Sequence, residues 1–268
     1  MISCSVIVPA YHEKLNVEPL TRRLFEALGN KKSKETELIF VDDNSQDGSV
    51  EEVERLQKAG YNVRIIVRTT ERGLSSAVLR GFKEAKGQYL ICMDADLQHP
   101  PEVVPTMIQQ LEKNPFVLGT RYAPGIEIDK DWPLYRRVIS SGARLLALPL
   151  TPASDPMSGF FGLQSKYLFN GEGDQRHIIE GINDKGFKIA LELLTKIPLP
   201  NGGKGSIVDV PFTFGVRVEG ESKLSSKVMI QYLQQLKDLY IYKFGIAQLL
   251  IFLVLLVLVA LYFLSFFL

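Results

Sequence analysis

Cysteine is scarce in this chain: Cys4 and Cys92 are the whole complement. Two thiols cannot build a disulfide scaffold, and their spacing fits no zinc site. Both lie in apolar runs, where a free cysteine behaves as a small buried hydrophobe and suits a reducing compartment. If those runs are adjacent strands, the two thiols lie near each other. An excess of one charge is lacking too. Lys+Arg 31 against Asp+Glu 30 leaves a net charge of +1, so there is no broad basic field and no nucleic-acid partner is expected. Any anionic partner has to be held by local charges. The three histidines, His12, His99 and His177, form no ligand spacing. No Gly-x-Ser-x-Gly elbow supports a serine hydrolase, and the loop after the first apolar run has no Gly-x-Gly-x-x-Gly for a redox dinucleotide. There is no internal repeat and no low-complexity segment. Met1 to Ala10 is apolar but short and has no charged leader, so it does not read as a signal peptide.

What the chain does have is one long apolar run. From Phe244 to Leu268 only Gln248 and Ser265 are clearly polar; that is about 25 residues, where a bilayer core needs about 20. A buried core helix is the plainer reading, but such helices are rarely apolar on every face for so long. Lys237 and Lys243 precede the run and no Lys or Arg follows it, which keeps the body of the protein cytosolic.

The first half of the chain alternates. Ser5–Pro9, Glu37–Val41, Val63–Val67 and Tyr89–Met93 are apolar runs of strand length. Between them Leu15–Leu28, Ser49–Ala59 and Leu74–Ala85 read as helices. The first carries the stripe Leu15, Leu20, Leu24, Leu28, the second is capped by Asp47 or Ser45, and the third is ended by Lys86-Gly87. Near-continuous apolar strands alternating with helices predict an α/β fold: a mostly parallel sheet covered on both faces, which binds ligands at the carboxyl ends of its strands. The second half is less regular. Phe116–Gly119 reads as a strand, Gly186–Leu194 as a helix, and Ile207–Phe214 as a strand interrupted by Pro211. Trp132–Leu148 is amphipathic, with Leu134, Val138, Ile139, Leu145 and Leu146 at helical spacing. Leu224–Tyr240 is a second such helix, on Val228, Tyr232, Leu233, Leu236 and Tyr240, and Lys166–Ile182 reads as a loop-rich insertion.

Chemistry concentrates at the strand ends. Asp94-Ala95-Asp96-Leu97-Gln98 follows the fourth apolar run. Two carboxylates two positions apart on extended chain point to one side. With the amide oxygen of Gln98 they make an oxygen donor set for Mg²⁺ or Mn²⁺; a pair of solvated aspartates is the plainer reading. Pro9-Ala10-Tyr11-His12-Glu13 offers an aromatic ring to stack on a base and a carboxylate to accept from ribose or base. Val41-Asp42-Asp43-Asn44-Ser45 supplies more oxygens than one helix cap needs, and Asp43 can accept from a base edge. Arg121, Arg136, Arg137, Arg217 and Lys223 are cations placed to meet phosphate, where arginine offers a planar fork and lysine a point charge.

These blocks in this order, VPAYHE, FVDDNSQDGS, ERGLSSAVLRGF, YLICMDADLQHPPE, LGTRY, DWPLYRRVIS, SDPMSGFFGL, GFKIALELL, and VPFTFGVR with GESKLS, resemble the dolichol-phosphate mannose synthases from about Val6 to Phe244. The nearest match is the single-chain type with its own C-terminal anchor. The resemblance implies a GT-A glycosyltransferase domain over 1–222, an amphipathic membrane-interface helix over 223–243 and a transmembrane anchor over 244–268. It implies inverting transfer of mannose from GDP-mannose to dolichyl phosphate, with Mg²⁺ or Mn²⁺ as cofactor. The expected setting is the endoplasmic reticulum membrane, the catalytic domain facing the cytosol and accessory membrane subunits not required. By the same resemblance Pro9, Tyr11, Glu13, Val41 and Asp43 line the guanosine site, Asp94 and Ala95 contact the nucleotide sugar, and Asp96 and Gln98 hold the metal. Arg121, Arg217 and Lys223 bind the diphosphate or the incoming phosphate; Arg136 with Ser140, and Ser158, seat the acceptor phosphate. Asp94, Asp96 and Arg121 carry the catalysis. A polyprenyl-phosphate glucosyltransferase using UDP-glucose and a non-catalytic nucleotide-sugar-binding subunit are the alternatives.

Overall fold

The four apolar runs of the first half become β1 (Cys4–Ala10), β2 (Thr36–Asp42), β3 (Val63–Val67) and β4 (Tyr89–Cys92). A computed structural model describes residues 1–122, 134–169, 178–186, 188–213 and 226–248, and the architecture is that of these residues. β1 pairs in parallel with β2 (Val6 opposite Leu38) and with β4 (Ile7 opposite Cys92), and β2 pairs in parallel with β3. Helices α1 (Lys14–Glu35), α2 (Ser49–Lys58) and α3 (Leu74–Glu84) make the crossovers. Because side chains alternate across a strand, Val6, Val8, Leu38 and Phe40 pack against α1 and α2 on one face, while Ile7, Ile39 and Val41 pack against α3 on the other. A buried Leu or Phe of this kind contributes about 1.5–3 kcal/mol.

After the 3₁₀ turn Pro101–Val103, α4 (Val104–Leu111) joins the first face and β5 (Phe116–Thr120) extends the sheet. Then come α5 (Leu134–Ala147), β6 (Phe161–Gln164), the one-turn α6 (Lys166–Phe169), α7 (Ile189–Lys196), β7 (Ile207–Pro211) and α8 (Ser226–Phe244). The sheet order is β3-β2-β1-β4-β6-β5-β7. β6 runs antiparallel to both β4 and β5, and β5 and β7 are parallel. The expected sheet is therefore present, mostly parallel and covered on both faces, with one reversed strand that no pattern announced. α7 covers the second face beside α3. A third cluster (Ala147, Leu150, Met157, Leu191, Tyr232, Leu236, Leu239) joins α5, α7 and α8.

Several local expectations need correction. The thiols do not meet: Cys4 lies opposite Tyr89 and Cys92 opposite Ile7, and the two cysteines belong to opposite faces of the sheet. α1 loses helical geometry at Gly29 (φ 63), where its stripe of leucines stops, and Leu15 points outward at 68% exposure. Ser45 does not cap α2; Gly48 occupies the cap position, and Asp47 accepts the Ser49 N–H at 3.0 Å. Gly87 does not close α3 by a left-handed turn. It is needed because a Cβ there would lie 2.5 Å from the Ser5 nitrogen, so β1 and the chain entering β4 approach backbone to backbone. β7 stops at Pro211, which a strand at the sheet edge tolerates. Of the apolar stripes on the two amphipathic helices, Leu145 and Leu146 on α5 and Leu233 on α8 are exposed. The insertion is α6 and a 3₁₀ turn at Ile178–Gly181, with 170–177 outside the described residues. Among the described residues no helix is long and apolar enough to cross a membrane; the apolar run lies outside them from residue 249 onward.

Candidate active site

Four parallel strand ends deliver the predicted residues to one edge. After β1, Tyr11 stands 41% exposed with the Arg72 guanidinium 5.7 Å from its ring centroid. His12 takes a left-handed conformation (φ 59) and donates its N–H to the Ser45 hydroxyl at 2.9 Å. Glu13 accepts the Asn16 amide at 2.7 Å. After β2 the paired aspartates divide. Asp42 is buried and accepts both the N–H and the hydroxyl of Ser45, so it shapes the loop. Asp43 is only partly buried, and its carboxylate is held by the buried Arg68 through two nitrogens and by the Gly73 N–H at 2.8 Å. Arg68 also donates to the Ser76 hydroxyl at 2.7 Å.

Asp94 to Gln98 form a turn beyond β4 rather than extended chain, and the two carboxylates do not share one exposure. The Asp94 side chain is 43% exposed, whereas Asp96 is buried. Leu97 adopts φ 62, a conformation that costs a branched residue about 1–2 kcal/mol, and Asp96 Oδ1 accepts the Gln98 N–H at 3.2 Å. His99 supports the turn from behind. It stacks on Phe160 with ring centroids 5.1 Å apart, meets Phe212 edge-on, and accepts the Asp94 N–H on Nδ1 at 2.9 Å. Burial pushes its pKa below the ordinary histidine value against the pull of Asp94, so it is a neutral support. Gly159 closes the space in front: a Cβ there would lie 3.2 Å from His99 and 3.4 Å from the Asp94 carboxylate.

Beyond β5, Arg121 makes a two-pronged ion pair with Asp155, Nε to Oδ2 at 2.8 Å and a terminal nitrogen to Oδ1 at 3.0 Å. Asp155 is fully buried. Desolvation works against the guanidinium, and the Asp155 carboxylate outweighs it and holds Arg121 above the ordinary arginine value. The half-buried Lys188, just before α7, comes close enough to feel Arg121, Asp94 and Asp155. Its ammonium is pulled below the ordinary lysine value first by desolvation and then by Arg121, with the two aspartates opposing. Three carboxylates and two cations thus share this end of the edge. Hard oxygen donors with a surplus of negative charge suit a divalent cation that keeps some of its waters, although among the described residues no three or more His, Cys, Asp or Glu are grouped so that they could hold a metal ion by themselves.

Residues 5–169 match the family described as glycosyl transferase family 2. A dolichol-phosphate mannosyltransferase of Saccharomyces cerevisiae is 69% identical over 94% of this chain and 92% of that protein. One from Mycosarcoma maydis is 58% identical over 97% and 86%. The chain belongs to glycosyl transferase family 2, in its dolichol-phosphate mannosyltransferase branch. Glucosyl-3-phosphoglycerate synthase from Mycobacterium tuberculosis, solved with Mn²⁺ and UDP-glucose, superposes on this glycosyltransferase with a TM-score of 0.62 at 18% identity, covering 91% of this chain and 80% of that one. That likeness establishes the GT-A-like fold.

In this glycosyltransferase the remaining predicted residues are placed unevenly. Pro9 and Val41 lie side by side in the paired register of β1 and β2, and Ala95 is buried in the turn. Ser140 on α5 lies 3.4 Å from the Tyr122 hydroxyl; Tyr122 in turn carries the Arg144 guanidinium 4.4 Å above its ring. Ser158 is buried and bonds the main chain of Phe160 as donor and acceptor, at 3.3 and 3.2 Å. The side chains of Arg136 and Arg137, and all of Arg217 and Lys223, lie outside the described residues. Lys188, Asp155, His99 and Arg68 were not foreseen. For Lys188 a signal existed: a lysine at the start of an apolar helix opposes the helix dipole and asks for another reason to be there.

Proposed function

We propose that this glycosyltransferase moves mannose from GDP-mannose to dolichyl phosphate in a single displacement that inverts the anomeric carbon. The observation that carries the reading is the convergence of Asp94, Asp96 and Arg121 beyond β4 and β5, with Lys188 brought close to Asp94 and Arg121, in a chain 69% identical to a dolichol-phosphate mannosyltransferase. Tyr11, Glu13 and Asp43 receive the nucleoside, Tyr11 stacking on the base and Asp43, fixed by Arg68, accepting from its edge. The acceptor is a phosphate that is largely dianionic at neutral pH, so the attack needs no strong general base. The protein has instead to bring two anions together and stabilise the departing diphosphate. Arg121 and Lys188, with Arg217 and Lys223, take the first task by charge and position. Asp96 and Gln98, beside Asp94, hold a Mg²⁺ or Mn²⁺, which when bound supplies Lewis-acid stabilisation of the leaving group.

The lipid acceptor sets the location. Residues 244–268 cross the endoplasmic reticulum membrane once, and the catalytic domain faces the cytosol. Leu145 and Leu146 of α5, with Met229, Ile230 and Leu233 of α8, are exposed apolar side chains that enter the cytosolic leaflet. The deciding experiment is transfer by the purified protein in lipid, supplied with dolichyl phosphate, divalent metal and labelled GDP-mannose or UDP-glucose. Label enters the lipid from GDP-mannose alone, chelation stops it, and Asp96→Asn lowers it at least about 1,000-fold without unfolding the protein. Transfer from UDP-glucose alone would instead assign a glucosyltransferase. Donor binding without transfer from either sugar would assign a binding subunit.

A further inference from the structure

Gln235 lies on α8, in the inward stripe Tyr232, Gln235, Leu236, Leu239, and is 2% exposed. A leucine would continue that stripe. The amide instead turns into the main chain of another segment. Its Oε1 accepts the Lys188 N–H at 3.1 Å, and its Nε2 donates to the Lys188 carbonyl at 3.2 Å and to Glu192 Oε2 at 3.0 Å. Pairing with both backbone groups of one residue fixes that residue in position and in rotation, as a neighbouring strand would.

The surroundings close on the same pairing. Glu192 is buried, accepts the Asn183 N–H at 3.2 Å and holds the Lys196 ammonium at 2.6 Å. Gly186 leaves the room Gln235 occupies: a Cβ there would lie 2.7 Å from its Nε2. The Gly186 carbonyl is bonded by the Ser75 hydroxyl from α3. A buried amide inside an otherwise apolar contact, with each of its bonds made, specifies a geometry rather than merely filling space.

We propose that Gln235 is a positioning residue for the transfer reaction: by clamping the Lys188 peptide it sets the reach of the Lys188 ammonium into the anion site beside Arg121 and Asp155, and so ties that site to helix α8. This rests on the glycosyl-transfer reading. Three variants of the full chain in lipid test it: Gln235→Met, Lys188→Met and the double substitution. Gln235→Met lowers kcat about ten-fold with the donor KM changed less than about two-fold, and Lys188→Met lowers it at least as far. In the Lys188→Met background, Gln235→Met costs less than about two-fold more, because the group it positions is already gone. Losses that multiply in the double variant would overturn the proposal and leave Gln235 a packing residue, as would wild-type kcat in Gln235→Met. Should Gln235→Met not fold, Gln235→Glu, which keeps the shape and the acceptor oxygen but loses the donor, enters the same cycle. Wild-type turnover is measured first with each nucleotide sugar, and the cycle is run with the one accepted, so the donor assignment and the role of Gln235 fail separately.

Discussion

The two ends of the same sheet edge are built on different principles. At the β1–β2–β3 end each acid takes its partner from its own loop or from the loop after the neighbouring parallel strand. Asp42 takes Ser45, and Asp43 takes Arg68 and Gly73. The result is a polar cluster whose charges are already matched within the protein. At the β4–β6–β5 end the partners come from segments that do not follow a parallel strand, Asp155 from the chain before the reversed β6 and Lys188 from the chain before α7. Arg121 meets Asp155 across 34 positions, and Lys188 arrives from beyond α6. Burial there shifts the pKa values of His99 and Lys188. The first end is suited to recognising a shape by hydrogen bonds. The second holds unevenly matched charges in a desolvated place, where added anions and a cation change the balance most. On the proposed function, the first recognises the donor and the second carries the reaction.

Asp155→Asn breaks this contrast most severely. It keeps the shape and leaves Arg121 buried without its counter-charge. We expect a loss of about 3–5 kcal/mol, read as a melting temperature lower by about 10 °C, and transfer at least about 100-fold slower because the guanidinium is no longer held. A variant that melts normally and transfers at the wild-type rate would show that the pair does not organise the reacting end. Arg68→Met tests the opposite end with a smaller effect. It frees Asp43 to move, so the donor KM rises about ten-fold, equivalent to about 1.4 kcal/mol, while kcat changes less than about two-fold. A large fall in kcat with an unchanged KM would erase the distinction between the ends.

Legibility in the sequence followed the same division. Most of the first end could be read because Tyr11, Glu13, Asp42 and Asp43 lie within a few positions of apolar runs such as Val6–Val8 and Leu38–Val41; Arg68 escaped although it directly follows β3, because a lone arginine after a strand does not show which acid it meets. Asp94, Asp96 and Arg121 could be placed at strand ends for the same reason. What escaped was long-range or short. β6 has only four residues, one of them glycine, and carries no periodic signal. Asp155 is a lone acid in a loop until the topology brings it to β5. The turn at Asp94–Gln98 departs from extended chain at Leu97, where a left-handed leucine is something no propensity scale favours. Gln235 was passed over within an apolar stripe, because spacing shows which face a residue occupies and not what its amide meets.

The smallest expected effect lies outside the sheet altogether, on the helices that the reacting end leans on. Leu233 is 56% exposed on α8, two positions before the buried Gln235. If that outer face enters the leaflet while the inner face holds Lys188, the two faces of one helix answer to different solvents. Leu233→Glu then leaves melting and donor KM unchanged, since it removes no buried contact. It weakens association of the protein with vesicles containing anionic lipid by about three- to ten-fold, the expected cost of exchanging one leaflet-facing leucine for a charge. Transfer to dolichyl phosphate in those vesicles falls by less on the proposal that the apolar run at 244–268 anchors the chain. Vesicle flotation with and without the substitution measures the first effect and turnover in the same vesicles the second. Unchanged flotation would mean that the outer face of α8 stands in water and that the helix serves the active site from its inner side alone.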